Sequence, residues 1–262
     1  MSSIEITWLG HATVDVRLGG ARLVTDPILR DRVAHLRRHD GTSQLDSDPD
    51  ATPIDAVLIS HLHHDHLDLA SLRQLPAGTA LVVPRGGAKV VGRHAPGEVV
   101  EMSVDDELTV GDVRVTAVPA DHHRGRVLSR AKATPLGFVM EHADGVVYFP
   151  GDTDLHPAMS DLPAPDVALL PIWGWGPTIG SGHLDPERAA EAAATLRARA
   201  VLPVHWGTFA PIRPRPGRPG WLDRPAGTFT DAMARHAPDS HLALVRPGPD
   251  AVTFPAGGAT TE

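Results

Sequence analysis

The heptapeptide Ser60-His61-Leu62-His63-His64-Asp65-His66 constrains this chain more than any other segment. It follows residues 56–60, an almost wholly apolar run of the kind found in strands buried on both faces. Imidazoles and a carboxylate packed this densely at a strand end, rather than along a helix, can converge on a metal ion. His61 and His63, two residues apart, can reach one ion, while Asp65 and His66 point into a neighbouring position. The plain alternative is a solvated histidine-rich turn. The chain contains no cysteine, so neither disulfides nor thiolate ligands enter the argument.

Around this segment the sequence alternates between strand and helix signals. Residues 4–8, 13–18 and 22–25 alternate apolar and polar side chains, with Gly19-Gly20 as a tight hairpin turn. Residues 30–53 are polar, rich in Arg and Asp, and predict a surface excursion. Asp68 can cap a helix carrying Leu69, Leu72 and Leu75. Further strands are expected at 80–83, 99–102, 108–110, 113–118, 137–141, 146–150, 167–170 and 201–204. Pro186 opens an alanine-rich helix expected to reach about Arg199. No linker divides the chain, so residues 1–262 are expected to form a single α/β domain. Its expected form is two β-sheets packed face to face with helices outside.

Three more candidates each lie just past an expected strand: His122 after Val118-Pro119, Asp152 in Phe149-Pro150-Gly151-Asp152-Thr153, and His205 after residues 201–204. His123 adjoins His122 and competes with it. Together with His61-x-His63-x-Asp65-His66, this order resembles the metallo-β-lactamase superfamily over nearly the whole chain. The resemblance implies an αββα sandwich and two divalent ions. His61, His63 and His122 would hold one ion, Asp65, His66 and His205 the other, and Asp152 would bridge them. Two ions roughly 3.5–4 Å apart bring a shared water toward neutral pKa and polarise the bond to be attacked. Imidazole and carboxylate donors without thiolate suit zinc, and manganese or iron is also compatible. A glutamate at position 63 would resemble the di-iron oxygen reductases of this fold. His63 favours hydrolysis.

Within the superfamily, Trp8-Leu9-Gly10-His11, Thr25-Asp26-Pro27 and Gly182-His183-Leu184-Asp185-Pro186-Glu187 resemble a particular branch. It holds ascorbate-phosphate lactonases and N-acyl-phosphatidylethanolamine phospholipase D. That resemblance implies a catalytic role for His183, as electrophile or general acid for the leaving group, besides Asp65 at the metals. Otherwise His183 only caps the next helix. His11 and Asp26 become candidates for supporting the ligands from behind, or are ordinary turn residues. Asp121-His122-His123 departs from the phospholipase pattern of Gln-His-Trp, and that enzyme's membrane-facing apolar elements are not apparent. Trp173 and Trp175 either line a pocket or fill the core. The other histidines, at 35, 39, 94, 142, 156, 236 and 241, follow no pattern and are expected mostly at the surface.

The leading expectation is a hydrolase of a small ester, lactone or phosphoester. A phosphodiesterase acting on lipid or nucleic acid is the alternative, as is a non-catalytic metal-binding protein. A net charge of −8 argues against a general affinity for nucleic-acid phosphates, although Arg213, Arg215, Arg218 and Arg224 could meet a phosphate. Residues 211–225, alternating Arg and Pro, read as a loop near the site or equally as a solvated surface loop. No bilayer span is expected, since the uncharged stretch 167–181 is broken by Pro171, Gly174, Gly176 and Pro177. The first residues do not form a secretory signal, so a cytoplasmic location is the expectation. A small-molecule substrate is the expected partner. Oligomeric state is left open.

Overall fold

Strand Ala56–Leu58 is buried along its whole length, and its side chains divide between two cores. Ala56 and Leu58 face the main core between the sheets, while Val57 joins Ile59, Leu81, Val83, Leu72 and Val91 in an outer layer. Each fully buried Val or Leu of this kind contributes roughly 1.5–3 kcal/mol. That explains why a run without alternation folds as a central strand. The computed structural model describes residues 3–45, 52–125, 131–212 and 217–256.

The first sheet places Ala251–Pro255, Ser3–Gly10, Thr13–Leu18, Ala21–Thr25, Ala56–Leu58, Ala80–Pro84 and Val99–Met102 side by side. Pairing is antiparallel as far as Ala21–Thr25 and parallel beyond it. The second sheet runs His241–Leu242, Ala200–Val204, Val167–Pro171, Gly145–Phe149, Leu136–His142, Val113–Pro119 and Glu107–Val110. Its first four strands are parallel and the rest antiparallel. In the first sheet Ser3–Gly10, Ala21–Thr25 and Ala56–Leu58 share one direction. In the second, Val113–Pro119, Gly145–Phe149, Val167–Pro171 and Ala200–Val204 do the same. Their C-terminal ends therefore lie along one edge of each sheet, which is where open α/β sheets place their ligands.

Helices Pro186–Leu196 and Arg224–His236 cover the outer face of the second sheet, and their buried alanines allow close approach. The expected two-sheet α/β architecture is thus found, with adjustments of detail. The alanine-rich helix stops at Leu196 rather than about Arg199, because Arg197 turns left-handed (φ 53°) and its N–H closes on the carbonyls of Ala193 and Ala194. The helix capped by Asp68 is a single turn, Leu69–Leu72, with Leu75 buried beyond its end.

Two stretches differ more. Residues 30–45 are not simply a surface excursion, and 46–51 lie outside the described part. Arg32–Val33 and Leu36–Arg38 form a hairpin that pairs with Phe209–Pro211 in a third, small sheet. Val33 and Leu36 bury themselves there against Ile28 and Phe209; two apolar residues separated by a turn are too short a pattern to show as a strand. The segment read as a loop to residue 225 already contains the start of helix Arg224–His236, with Pro225 in its first turn and Ala226, Phe229, Ala232 and Met233 buried. Residues 213–216 lie outside the described part.

Candidate metal centre

Seven strand ends on the shared edge carry the site. His11 follows Ser3–Gly10, Asp26 follows Ala21–Thr25, and the His61–His66 loop follows Ala56–Leu58. From the second sheet, His122 follows Val113–Pro119, Asp152 follows Gly145–Phe149, Trp173 follows Val167–Pro171, and His205 follows Ala200–Val204. His11, Asp26 and His205 adopt positive φ (55°, 35° and 63°), a strained turn that non-glycine residues rarely take and that clusters at functional sites. Gly151 (φ 62°) is obligatory for a second reason: a Cβ there would lie 2.4 Å from that of Ser60. The two sheets' loops therefore meet only because this residue has no side chain.

The buried carboxylate of Asp152 is the hub. Its Oδ2 lies 3.2 Å from His66 Nε2, 3.4 Å from His183 Nε2, 3.8 Å from His122 Nε2 and 3.9 Å from His61 Nε2. Oδ1 lies 3.1 Å from His205 Nε2. His63 Nδ1 faces His122 Nε2 at 3.0 Å, and His66 Nε2 faces His205 Nε2 at 3.1 Å. Asp65 Oδ2 is 3.8 Å from His66 Nε2 and 4.0 Å from His205 Nε2. All seven expected ligands therefore converge. Between the neighbours His122 and His123, the buried His122 enters the cluster and His123 is exposed.

The outward nitrogens fix the tautomers. His122 Nδ1 donates to the Gly182 carbonyl (2.6 Å) and His205 Nδ1 to the Trp173 carbonyl (2.6 Å). His66 Nδ1 donates to Asp26 Oδ2 (2.7 Å). Ser60 gives its hydroxyl proton to Asp26 (2.6 Å) and so accepts from His61 Nδ1 (3.0 Å). Each of these rings thus turns its Nε2 inward as a candidate donor atom. His11, the other anticipated support, places Nε2 3.0 Å from Asp65 Oδ2.

Donor atoms gathered in this way need a cation. His61 Nε2 and Asp152 Oδ1 are buried without a hydrogen-bond partner, and unpaired buried polar atoms cost about 1–3 kcal/mol each. Burial, reinforced by His66, holds His61 well below 6.5. Burial holds His205 down against the pull of Asp152, lowers His122 too, and with the help of His122 brings His63 to about 4. His66 goes up, because Asp152, Asp26 and Asp65 outweigh its burial. Asp152 and Asp65 are pushed up by burial, yet the imidazoles around them, His205 and His66 foremost for Asp152 and His66 for Asp65, hold both well below the usual carboxylate range. The neutral imidazoles of His61, His63, His122 and His205 beside ionised carboxylates are the donor set that borderline divalent ions take, and His66 would give up its inward proton to join them.

His183 does not cap the helix after it; Asp185 does, accepting from the Arg188 N–H (2.9 Å). Instead His183 Nδ1 faces the carbonyls of Gly180 and Ser181 (3.2 Å each) and Nε2 faces Asp152. The three groups that its ring nitrogens face, two carbonyls and a carboxylate, all accept hydrogen bonds. Although burial opposes it, the bond to Asp152 raises its pKa. Above the cluster opens a cavity of about 410 Å³, bordered by His63, Asp65, Asp152 and His183 and walled by Val33, Ala34, His35, Leu36 and Trp175. Trp175 is thus a pocket residue. Trp173 packs against the core and donates to the Gly176 carbonyl (2.9 Å). The hairpin residues escaped sequence reasoning, and so did the carbonyls of Gly182 and Trp173, which have no side-chain signature. Of the seven histidines without a pattern, His35, His236 and His241 are exposed and the rest are half-buried.

Fold and site together define a metal-dependent hydrolase. Residues 21–206 match the family described as the β-lactamase superfamily domain. The chain is 34% identical over 225 residues to a metal-dependent hydrolase of Methanopyrus kandleri, covering 81% of this chain and 88% of that one. It is 30% identical over 235 residues to an N-acyl-phosphatidylethanolamine-hydrolyzing phospholipase D of Caenorhabditis elegans, covering 79% and 65%. Among solved structures, Igni18, a metallo hydrolase from Ignicoccus hospitalis, superposes with a TM-score of 0.73 at 22% identity over 96% of this chain and 98% of the other. The protein belongs to the metallo-β-lactamase superfamily.

Proposed function

We propose that this hydrolase works with two divalent ions, zinc being the one the donors suit first, to cleave a small ester or lactone. His61, His63 and His122 would hold one ion and Asp65, His66 and His205 the other, with Asp152 between them. Two ions so held would supply a water acidic enough to attack at neutral pH and would polarise the scissile bond. Asp65, which borders the cavity while His11 holds its Oδ2, takes the proton that the water loses. His183, facing acceptors on both ring nitrogens, carries the proton that the leaving oxygen receives. The observation that carries this reading is the set of inward donor atoms around Asp152, with orphaned buried atoms on His61 and Asp152 itself. The reading takes residues 1–262 as one domain, supported by a core that runs through both large sheets.

The resemblance to a phospholipase D supports a second reading, a lipid phosphodiester substrate. Against a nucleic-acid phosphodiester, Arg218 is already paired with Asp223 (2.8 Å) and Asp40 (3.5 Å), while Arg213 and Arg215 lie outside the described residues. A purely structural metal site would close its coordination, whereas this cluster opens on a cavity beneath His183. Among the described residues no helix is long and apolar enough to cross a membrane.

Metal titration of the stripped protein, read by mass spectrometry and turnover together, tests the proposal. Two equivalents are expected for full activity, and full activity with one would overturn it. His183→Ala should keep both ions while kcat falls about 10²–10⁴-fold. A variant that loses its metal instead would make His183 structural.

A further inference from the structure

The cavity above the cluster is chemically lopsided. Its floor is polar, made by His63, His64, Asp65, Asp152 and His183, and its wall is Val33, Ala34, Leu36 and Trp175 with the ring of His35 among them. Among the described residues that line it there is no lysine or arginine. The wall is fixed. Val33 and Leu36 are buried with Ile28 and Phe209, and Trp175 packs on the same group from the loop after Val167–Pro171. His35 meets the Trp175 ring edge-on, with centroids 4.9 Å apart and planes at 84°, joining hairpin and loop across the cavity. Arg38 anchors the hairpin from within, donating to the Ile28 carbonyl (2.7 Å) and lying over the Phe209 ring (4.7 Å).

A charged substituent seated against Val33, Ala34, Leu36 and Trp175, away from the polar floor, would lose hydration that these four side chains cannot replace. An apolar one would gain by leaving water. We propose that the substrate is an uncharged carboxylic ester or lactone whose substituent is apolar and lies against Val33, Ala34, Leu36 and Trp175. This rests on the hydrolytic reading above and narrows it away from phosphoesters and acidic lactones. The reaction balances as hydrolysis. The acyl carbon–oxygen bond breaks as a bond from that carbon to the water oxygen forms. One water proton passes to Asp65, His183 protonates the departing oxygen, and acid and alcohol result.

The test uses the metal-loaded full chain and p-nitrophenyl esters from acetate to octanoate, beside a matched series ending in a carboxylate. In the neutral series kcat/KM should rise roughly threefold per added methylene until the cavity fills, and the carboxylate series should lie at least about tenfold lower. Trp175→Ala should reduce the octanoate-to-acetate ratio about tenfold. Ala34→Lys, at an exposed residue already in the left-handed region (φ 48°), should move preference toward the carboxylate series. Calorimetric titration with alkyl methyl ketones, which cannot be hydrolysed, should show tighter binding as the chain lengthens. Hydrolysis with a flat chain-length response, or a preference for carboxylate-ended esters, would overturn this inference and leave the hydrolase standing. With both ions bound, cleavage of phosphodiesters but of no carboxylic ester would remove the ester reading and this inference together.

Discussion

The two large sheets contribute to one centre, yet they steady their side chains by different means. On the first-sheet side four candidate ligands come from one loop, and other side chains hold them: Asp26 grips His66 and Ser60, Ser60 grips His61, and His11 grips Asp65. On the second-sheet side the candidate ligands arrive singly from three strand ends, and main-chain carbonyls hold the imidazoles, Gly182 for His122 and Trp173 for His205. The first arrangement is therefore open to substitution of its supports. The second depends on where loops run, because a carbonyl cannot be mutated away.

Asp152, which touches both sides, sets the upper limit. Asp152→Ala should leave fewer than two ions per chain and lower kcat/KM by about 10³-fold or more, since bound metal supplies several kcal/mol of transition-state stabilisation. Retention of both ions, measured by mass spectrometry, would break the picture of a shared hub. Next comes the first-sheet support. Asp26→Ala strips partners from His66 Nδ1 and from the Ser60 N–H and hydroxyl. Metal affinity measured by chelator competition should fall about 10–100-fold, with thermal stability lowered in the same variant. An unchanged affinity would show that side-chain backing contributes nothing.

The seam between the sides can be read by pH. In metal-free protein His63, with a folded pKa of about 4 against 6.5 unfolded, is protonated first in the unfolded chain. Its contribution is fully present above pH 6.5 and is lost as pH falls toward 4, on the order of 2 kcal/mol. Denaturant melts of His63→Gln should be flatter over that window. On the second-sheet side, Gly182→Ala adds a Cβ 3.2 Å from His122 Nδ1 at φ 75°. That strain should weaken metal binding by less than about tenfold. Trp173→Phe, which keeps the carbonyl, should change metal affinity least of all, within a factor of about two. A large loss there would mean that the ring, not the main chain, holds His205.

The same contrast explains how much of the site the sequence disclosed. His61, His63, Asp65 and His66 were legible because one loop imposes their spacing. His122, Asp152 and His205 became legible only in company, through strand ends repeated in the right order. Asp26 and His11 entered only through the branch motifs Thr25-Asp26-Pro27 and Trp8-Leu9-Gly10-His11, with ordinary turn residues as the alternative. Ser60, Gly182 and the hairpin at Val33–Leu36 left no usable mark: a serine beside a histidine, a glycine and two separated apolar residues are commonplace.

The amino-acid order alone thus determined most of the strand runs, the helix cap at Asp68 and the donor-rich loop from His61 to His66, since these follow from local periodicity and residue chemistry, while Asp152 and His205 joined that loop through the resemblance to the metallo-β-lactamase superfamily. Tertiary structure decided which nitrogen of each ring turns inward, which of His122 and His123 is buried, and what walls the cavity. Those outcomes depend on carbonyls and surfaces brought together from positions far apart in the chain, and no local pattern encodes such meetings.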